Sequence, residues 1–134
     1  LRQQIKKQQK HKKMKVITLR YGKEKISGRD TFFSSLGLLK SAVNNINNQQ
    51  GLGVEEMSKR LKLIDALGKH SEMDIEEKEY NDSILLRTKE LHLENADHEK
   101  LVELFNEIKW MVVSKFIVEL SAELKEAKEV ELPQ

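Results

Sequence analysis

The chain has no cysteine, a single proline, and aromatic side chains at only 5% of its 134 positions. Without cysteine there is no disulfide framework, no thiol nucleophile and no Cys-ligated zinc or iron–sulfur cluster. No window approaches the roughly 18 consecutive apolar residues that read as a membrane-spanning helix. The N-terminus is basic but lacks the apolar stretch and small-residue cleavage site of a secretory signal, so a soluble protein, neither secreted nor membrane-spanning, is expected. With six glycines and neither G-x-x-x-x-G-K-[ST] nor G-x-G-x-x-G, a glycine-rich phosphate cradle is a poor reading.

What is present is charge, unevenly distributed. Residues 1–29 hold eleven Lys/Arg and one acid, Glu24, a balance of +10; residues 30–134 hold 13 Lys/Arg against 21 Asp/Glu, a balance of −8, and together these give the chain's +2. Six of the positives precede Met14 in the low-complexity stretch LRQQIKKQQKHKK. Such a stretch buries too little apolar surface to offset its ordering entropy. Met14-Lys15-Val16-Ile17 reads as the start of a domain, so residues 1–13 are expected as a basic tail or a non-native extension, and 14–134 as a single compact α-rich domain.

Along that domain, Met14–Tyr21 alternates and is rich in β-branched residues, which predicts a strand. Gly22-Lys23 and Ser27-Gly28 read as turns. Asp30 or Thr31 is expected to cap a helix with Phe32, Leu36, Leu39, Val43 and Ile46 inward, at spacings 4, 3, 4, 3. A second helix follows Gly53, with Glu55 and Glu56 at its positive end and an inward stripe of Val54, Met57, Leu61, Ile64 and Leu67. Residues 70–83 read as an acidic, irregular segment with a short helical turn near Ile75–Tyr80. Leu91 and Leu93 alternate with Glu90, His92 and Glu94, the pattern of a partner strand for Met14–Tyr21. Asn95 or Asp97 then caps a third helix burying Leu101, Leu104, Phe105 and Ile108. The last helix aligns Val113, Ile117, Leu120, Leu124 and Ala127, and Pro133 closes the chain. The expected fold is mostly α, an α+β arrangement of about four amphipathic helices packed with a small two-stranded β ribbon, with a pure helical bundle as the alternative.

Constellations that carry chemistry are few. His92 and His98 flank the Asn95–Asp97 turn, but no third convergent ligand is implied, so neither a metal nor another cofactor is expected. The carboxylates Glu72, Asp74, Glu76, Glu77, Glu79 and Asp82 lie in a segment with no apolar pattern, which reads as a solvated loop rather than a dry acid–base site. No catalytic residue is assigned. Lys6, Lys7, Lys10, Lys12 and Lys13 are the candidates for gripping phosphates or an acidic partner, without an aromatic for base stacking. Trp110, Phe116 and Leu120 are the candidates for a protein interface. Tryptophan is enriched at such anchors, and heptad-spaced seams close either within one chain or between copies.

Three segments, GLGVEEMSKRLKLIDAL, LHLENADHEKLVELFNEIKW and VVSKFIVELSAELKEA, resemble small proteins encoded in phage and prophage gene clusters. The resemblance covers residues 51–129 and implies a virus-like protein working in particle assembly or host interaction, in the cytoplasm of a bacterial host or in a phage particle. With the heptad seams, it leads to a non-enzymatic protein–protein interaction module, self-associating or bound to other chains, as the expected function. The alternative is a nucleic-acid-associated protein that uses its basic arm.

Overall fold

A computed structural model describes residues 11–46, 50–70 and 89–133. Strand β1 (His11–Leu19) lies between β4 (Lys89–Glu94) and β5 (Lys128–Pro133), antiparallel to both. Register places Ile17 opposite Leu91 and Lys15 opposite Leu93, the pairing that the alternation of both segments predicts. One face of this sheet is apolar: Ile17, Leu19, Leu91 and Leu93 are all at most 2% exposed. A two-residue shift along a strand keeps the face, so the other face carries Lys12, Met14, Val16 and Thr18 with Glu90, His92 and Glu94 on one flank and Lys128, Val130 and Leu132 on the other.

A separate hairpin, β2 (Tyr21–Ile26) and β3 (Arg29–Ser34), forms a second, two-stranded sheet. Ser27 and Gly28 both adopt positive φ, 52° and 81°. Two left-handed residues match the twist of a tight hairpin, and glycine takes that conformation without penalty. Helix α1 (Ser35–Asn44) follows directly. Ser34 Oγ accepts from the Gly37 N–H at 3.1 Å and caps it, while buried Ser35 exchanges hydrogen bonds with the Arg20 backbone.

Helices α2 (Val54–Gly68), α3 (Asn95–Glu107) and α4 (Lys115–Lys125) complete the layer over the apolar sheet face. The core joins Leu36, Leu39, Ala42 and Val43 of α1, Leu63 and Leu67 of α2, Leu101, Leu104 and Phe105 of α3, and Ile117, Leu120 and Leu124 of α4. Among the described residues, no helix is long and apolar enough to cross a membrane.

The expected mostly-α architecture is therefore corrected. Five strands in two sheets among the described residues make this an α+β fold, neither four helices with one small ribbon nor a helical bundle. Two segments account for the difference. Gly22-Lys23 is strand rather than turn, and Asp30–Phe33 is strand rather than helix start, because Tyr21–Ser34 closes on itself around Ser27-Gly28. Lys128–Pro133, to which the spacing assigns no element, alternates Val130 and Leu132 with Glu129 and Glu131 and becomes an edge strand. The third helix also starts differently: Glu94 is its N-cap and makes no side-chain cap bond, while Asn95 Nδ2 donates to Glu129 Oε1. The acidic segment 70–83, beyond His70, lies outside the described residues.

Candidate protein interface

Helix α2 carries two competing faces. Its sequence offers an apolar stripe, Val54, Met57, Leu61 and Ile64, and beside it a charged pair, Glu56 and Arg60. The structure turns the charged pair inward, with Arg60 buried and Glu56 half-buried. Arg60 is 6% exposed. Its Nη1 donates to the carbonyls of Val43, at 3.1 Å, and of Asn45, and its Nε donates to Glu56 Oε2 at 2.9 Å. Lys100 on α3 donates to the other Glu56 oxygen at 2.5 Å.

Arginine is suited to this position. The end of a helix leaves carbonyls without intrahelical partners, and a planar guanidinium presents several donors in a fixed fork. One side chain thereby satisfies the end of α1 and holds it to α2, while Glu56 ties the same cation to α3. Hydrogen bonds from Lys100 and then Arg60 keep the Glu56 carboxyl below its ordinary pKa against the opposing pull of burial. On Lys100, burial pulls the pKa down, but bonding to Glu56 and the Glu103 charge outweigh it and leave the ammonium raised.

The apolar stripe consequently faces solvent. Val54 is 80% exposed, Leu61 57%, Met57 46% and Ile64 38%. Only Leu67 of the stripe expected in the core is buried, and Leu63 takes the inward place instead. Ile46, at 52% exposure, continues the patch onto the connection after α1. Between α2 and this connection runs a shallow groove of about 190 Å³, lined by Val43, Asn44, Ile46, Leu52, Met57, Arg60, Leu61 and Ile64. A contiguous apolar patch with a polar rim is what a soluble surface ordinarily avoids outside binding sites.

The three interface candidates read from the sequence sit elsewhere. Leu120 is fully buried, and Phe116 is 5% exposed. The Phe116 ring stacks on Phe33 with centroids 5.5 Å apart, lies under the Arg20 guanidinium, and presses on Gly22 so closely that a Cβ there would fall 2.3 Å from its Cδ2. Trp110 is half-buried, its ring tilted against Phe105 at 5.3 Å. Leu120 and Phe116 spend their contact surface inside the fold, and Trp110 spends part of its own there. The α2 stripe was visible in the sequence as a pattern; the signal that it points outward is the neighbouring Glu56–Arg60 pair.

The basic candidates divide. Lys6, Lys7 and Lys10 lie outside the described residues. Lys12 and Lys13 belong to β1, between two strands of the acidic body. Lys12 Nζ bonds Glu94 at 2.5 Å, and this bond leads the causes that lower the Glu94 pKa. Lys13 stands opposite Glu131, and Lys15 opposite Glu129, in the β1–β5 register. Arg20 pairs with Glu123 at 2.6 Å and lies 3.7 Å from Glu119. The charge separation seen along the sequence is thus folded back on itself.

Other polar groups also have local roles. His98 is buried, with Nε2 2.6 Å from the Leu124 carbonyl, and His92 Nε2 lies 3.4 Å from Glu90. Among the described residues no group of three or more His, Asp or Glu is placed to hold a metal ion. An open cleft of about 580 Å³ runs from the outer sheet face to the start of β5, with Arg20 and Glu123 among its lining residues. Burial raises the Glu123 pKa; Arg20 opposes this and Glu119 reinforces it. Comparison with known protein families, curated proteins and solved structures finds no match for this chain.

Proposed function

We propose that this protein is a protein–protein interaction module that acts by binding rather than catalysis, docking a protein chain on the outer face of α2, in a phage particle or its assembly. The observation that carries the reading is the exposure of Val54, Met57, Leu61 and Ile64 at helical spacing beside an apolar groove. Each such side chain is worth about 1.5–3 kcal/mol when fully removed from water. A helix surface of this kind is the recognised seat for another amphipathic helix, and methionine adapts to the shape of what it meets. The phage setting rests on the resemblance of residues 51–129.

A photo-reactive amino acid at position 61, activated in cells that produce the full chain, tests the reading. Adducts heavier than 15.6 kDa are expected from position 61 and not from position 118, where Val118 is 68% exposed on another helix. Equal yields from both positions, or only an intrachain product from position 61, would overturn it.

A further inference from the structure

The connection between α3 and α4, residues 108–114, alternates as a strand does, although no strand among the described residues pairs with it. Ile108, Trp110 and Val112 turn onto the core, and Ser114 is buried. Lys109, Met111, Val113 and Lys115 turn outward, and the chain bends at Met111-Val112 to make an apex. Met111 is 100% exposed and Val113 94%, more than any apolar side chain of the α2 stripe. Both sides of the apex are fixed. Before it, the Trp110 ring rests on Phe105. After it, Glu24 accepts from Ser114 Oγ and from the Lys115 N–H, each at 2.8 Å. Turning Met111 or Val113 inward would give up these contacts, so the fold holds two apolar side chains in water.

Shape and charge order select the occupant. The α2 stripe lies beside a groove, which a chain of matching shape can fill. A side chain exposed all round needs a surface that closes about it from every direction, and the headgroup–acyl boundary of a bilayer does so without a preformed pocket. The outward order is basic, apolar, apolar, basic. With the apex in that boundary, the aliphatic stems of Lys109 and Lys115 reach past it and keep their ammonium groups among lipid phosphates. From Ile108 to Val118 the chain has these two lysines and no acid. Of the acids around this stretch, Glu24 is turned onto the N–H groups that open α4, and Glu119 lies 3.8 Å from Lys115 and 3.7 Å from Arg20. Glu107 stands at the end of α3. On the hairpin that carries Glu24, Lys23, Lys25 and Arg29 outnumber Asp30. We infer that the Lys109–Lys115 connection is a membrane-contact site, where Met111 and Val113 enter the surface of a bilayer that carries anionic lipid. The site stands independently of the α2 interface. Two inserted side chains make a shallow, reversible attachment rather than an anchor.

Vesicles of equal parts phosphatidylglycerol and phosphatidylcholine are expected to carry the purified full chain upward in a flotation gradient. Met111→Asp together with Val113→Asp lowers the affinity about tenfold. The thermal midpoint stays unchanged, because both side chains are already in water in the free chain. Lys109→Glu with Lys115→Glu weakens binding about fivefold at low salt and less as salt is added. Because the chain holds no cysteine, Val113→Cys takes a single polarity-sensitive dye. Its emission is expected to shift to the blue on these vesicles, whereas the same dye at Ser58→Cys on α2 stays as in buffer. Absence of flotation, flotation indifferent to the paired aspartate substitutions, equal flotation on pure phosphatidylcholine, or equal blue shifts at 58 and 113 each overturn the inference. A photo-cross-link from position 113 to a protein, with no vesicle binding, also overturns it and assigns the apex to a protein partner.

Discussion

Helices α4 and α2 carry the same kind of apolar spacing and turn it in opposite directions. On α4, Ile117, Leu120 and Leu124 are at most 6% exposed and face α3 and the core. On α2, Met57, Leu61 and Ile64 are at least 38% exposed. The difference lies in what polar groups each helix has to satisfy. The first turn of α4 is served from outside its buried face. Ser114 Oγ accepts from the Ile117 N–H, and Glu24 on β2 accepts from Ser114 Oγ and from the Lys115 and Phe116 N–H groups at 2.8–3.1 Å. With its polar demands met at its end, α4 is free to bury its seam. Helix α2 instead supplies the donors that finish α1, and Arg60 and Glu56 must turn inward to do it. Arg60 turned inward meets two carbonyls that burial would otherwise leave without a donor, and with that face of α2 inside the seam lies outside.

The most severe way to break the comparison is to truncate both seams alike. Leu120→Ala is expected to lose about 3 kcal/mol, and Phe116→Ala at least as much, whereas Leu61→Ala stays within about 0.5 kcal/mol. Urea midpoints of the monomeric chain read both numbers, and equal losses would mean that α2 is not oriented as described. Next in size is Arg60→Met. It keeps the length and removes the donors to Val43, Asn45 and Glu56, for an expected loss of about 2 kcal/mol. A neutral result would show that the network does not set the rotation of α2.

Acid titration sharpens the contrast between the two anchoring carboxylates. For Glu24, burial pushes the pKa up, but the hydrogen bonds from Lys115, Phe116 and Ser114 prevail and leave it below the ordinary 4.5. Glu56 is lowered as well. A lowered folded pKa means that the unfolded chain binds protons first. Both contributions are therefore complete above about pH 4.5 and are lost as pH falls through the lowered folded values. Glu123 works in reverse: its pKa is raised, so the folded chain takes up that proton first and offsets part of the loss on acidification. Glu24→Gln is expected to cost about 1 kcal/mol at neutral pH, with the gap to the unmodified chain closing in strong acid. A gap that persists there would assign the cost to packing rather than to charge. The smallest effect is expected at the exposed Lys12–Glu94 pair, where Lys12→Gln changes stability by under about 0.5 kcal/mol and the change fades with added salt.

Much of the strand and helix pattern was legible from local spacing. The β1–β4 pairing followed from the alternation of Ile17 and Leu19 with that of Leu91 and Leu93, and the burial of Leu36, Leu39 and Val43, of Leu101, Leu104 and Phe105, and of Ile117, Leu120 and Leu124 from their 3–4 spacing, whereas Phe32, Ile46 and Val113, which the same spacing puts inward, are exposed. Less legible were β2, β3 and β5. Phe32 and Phe33 fit a helical seam as readily as a strand, and only closure around Ser27 and Gly28 decides between them. Phe116 and Leu120 read as interface anchors because aromatic and seam residues mark both cores and interfaces, and spacing does not distinguish the two.

Taken alone, the amino-acid order determined periodicity, turn chemistry and the total of each charge, because these depend on neighbours a few residues apart. The division of +10 and −8 was correct as arithmetic, yet tertiary structure decided its meaning by setting β1 between acidic β4 and β5, so that Lys12 pairs with Glu94 and Lys13 and Lys15 stand opposite Glu131 and Glu129 of the same chain. It also decided which face of α2 is inside. That choice depended on two carbonyls at the end of α1, Val43 and Asn45, about fifteen residues earlier in the chain and brought within reach of one guanidinium only when the helices packed.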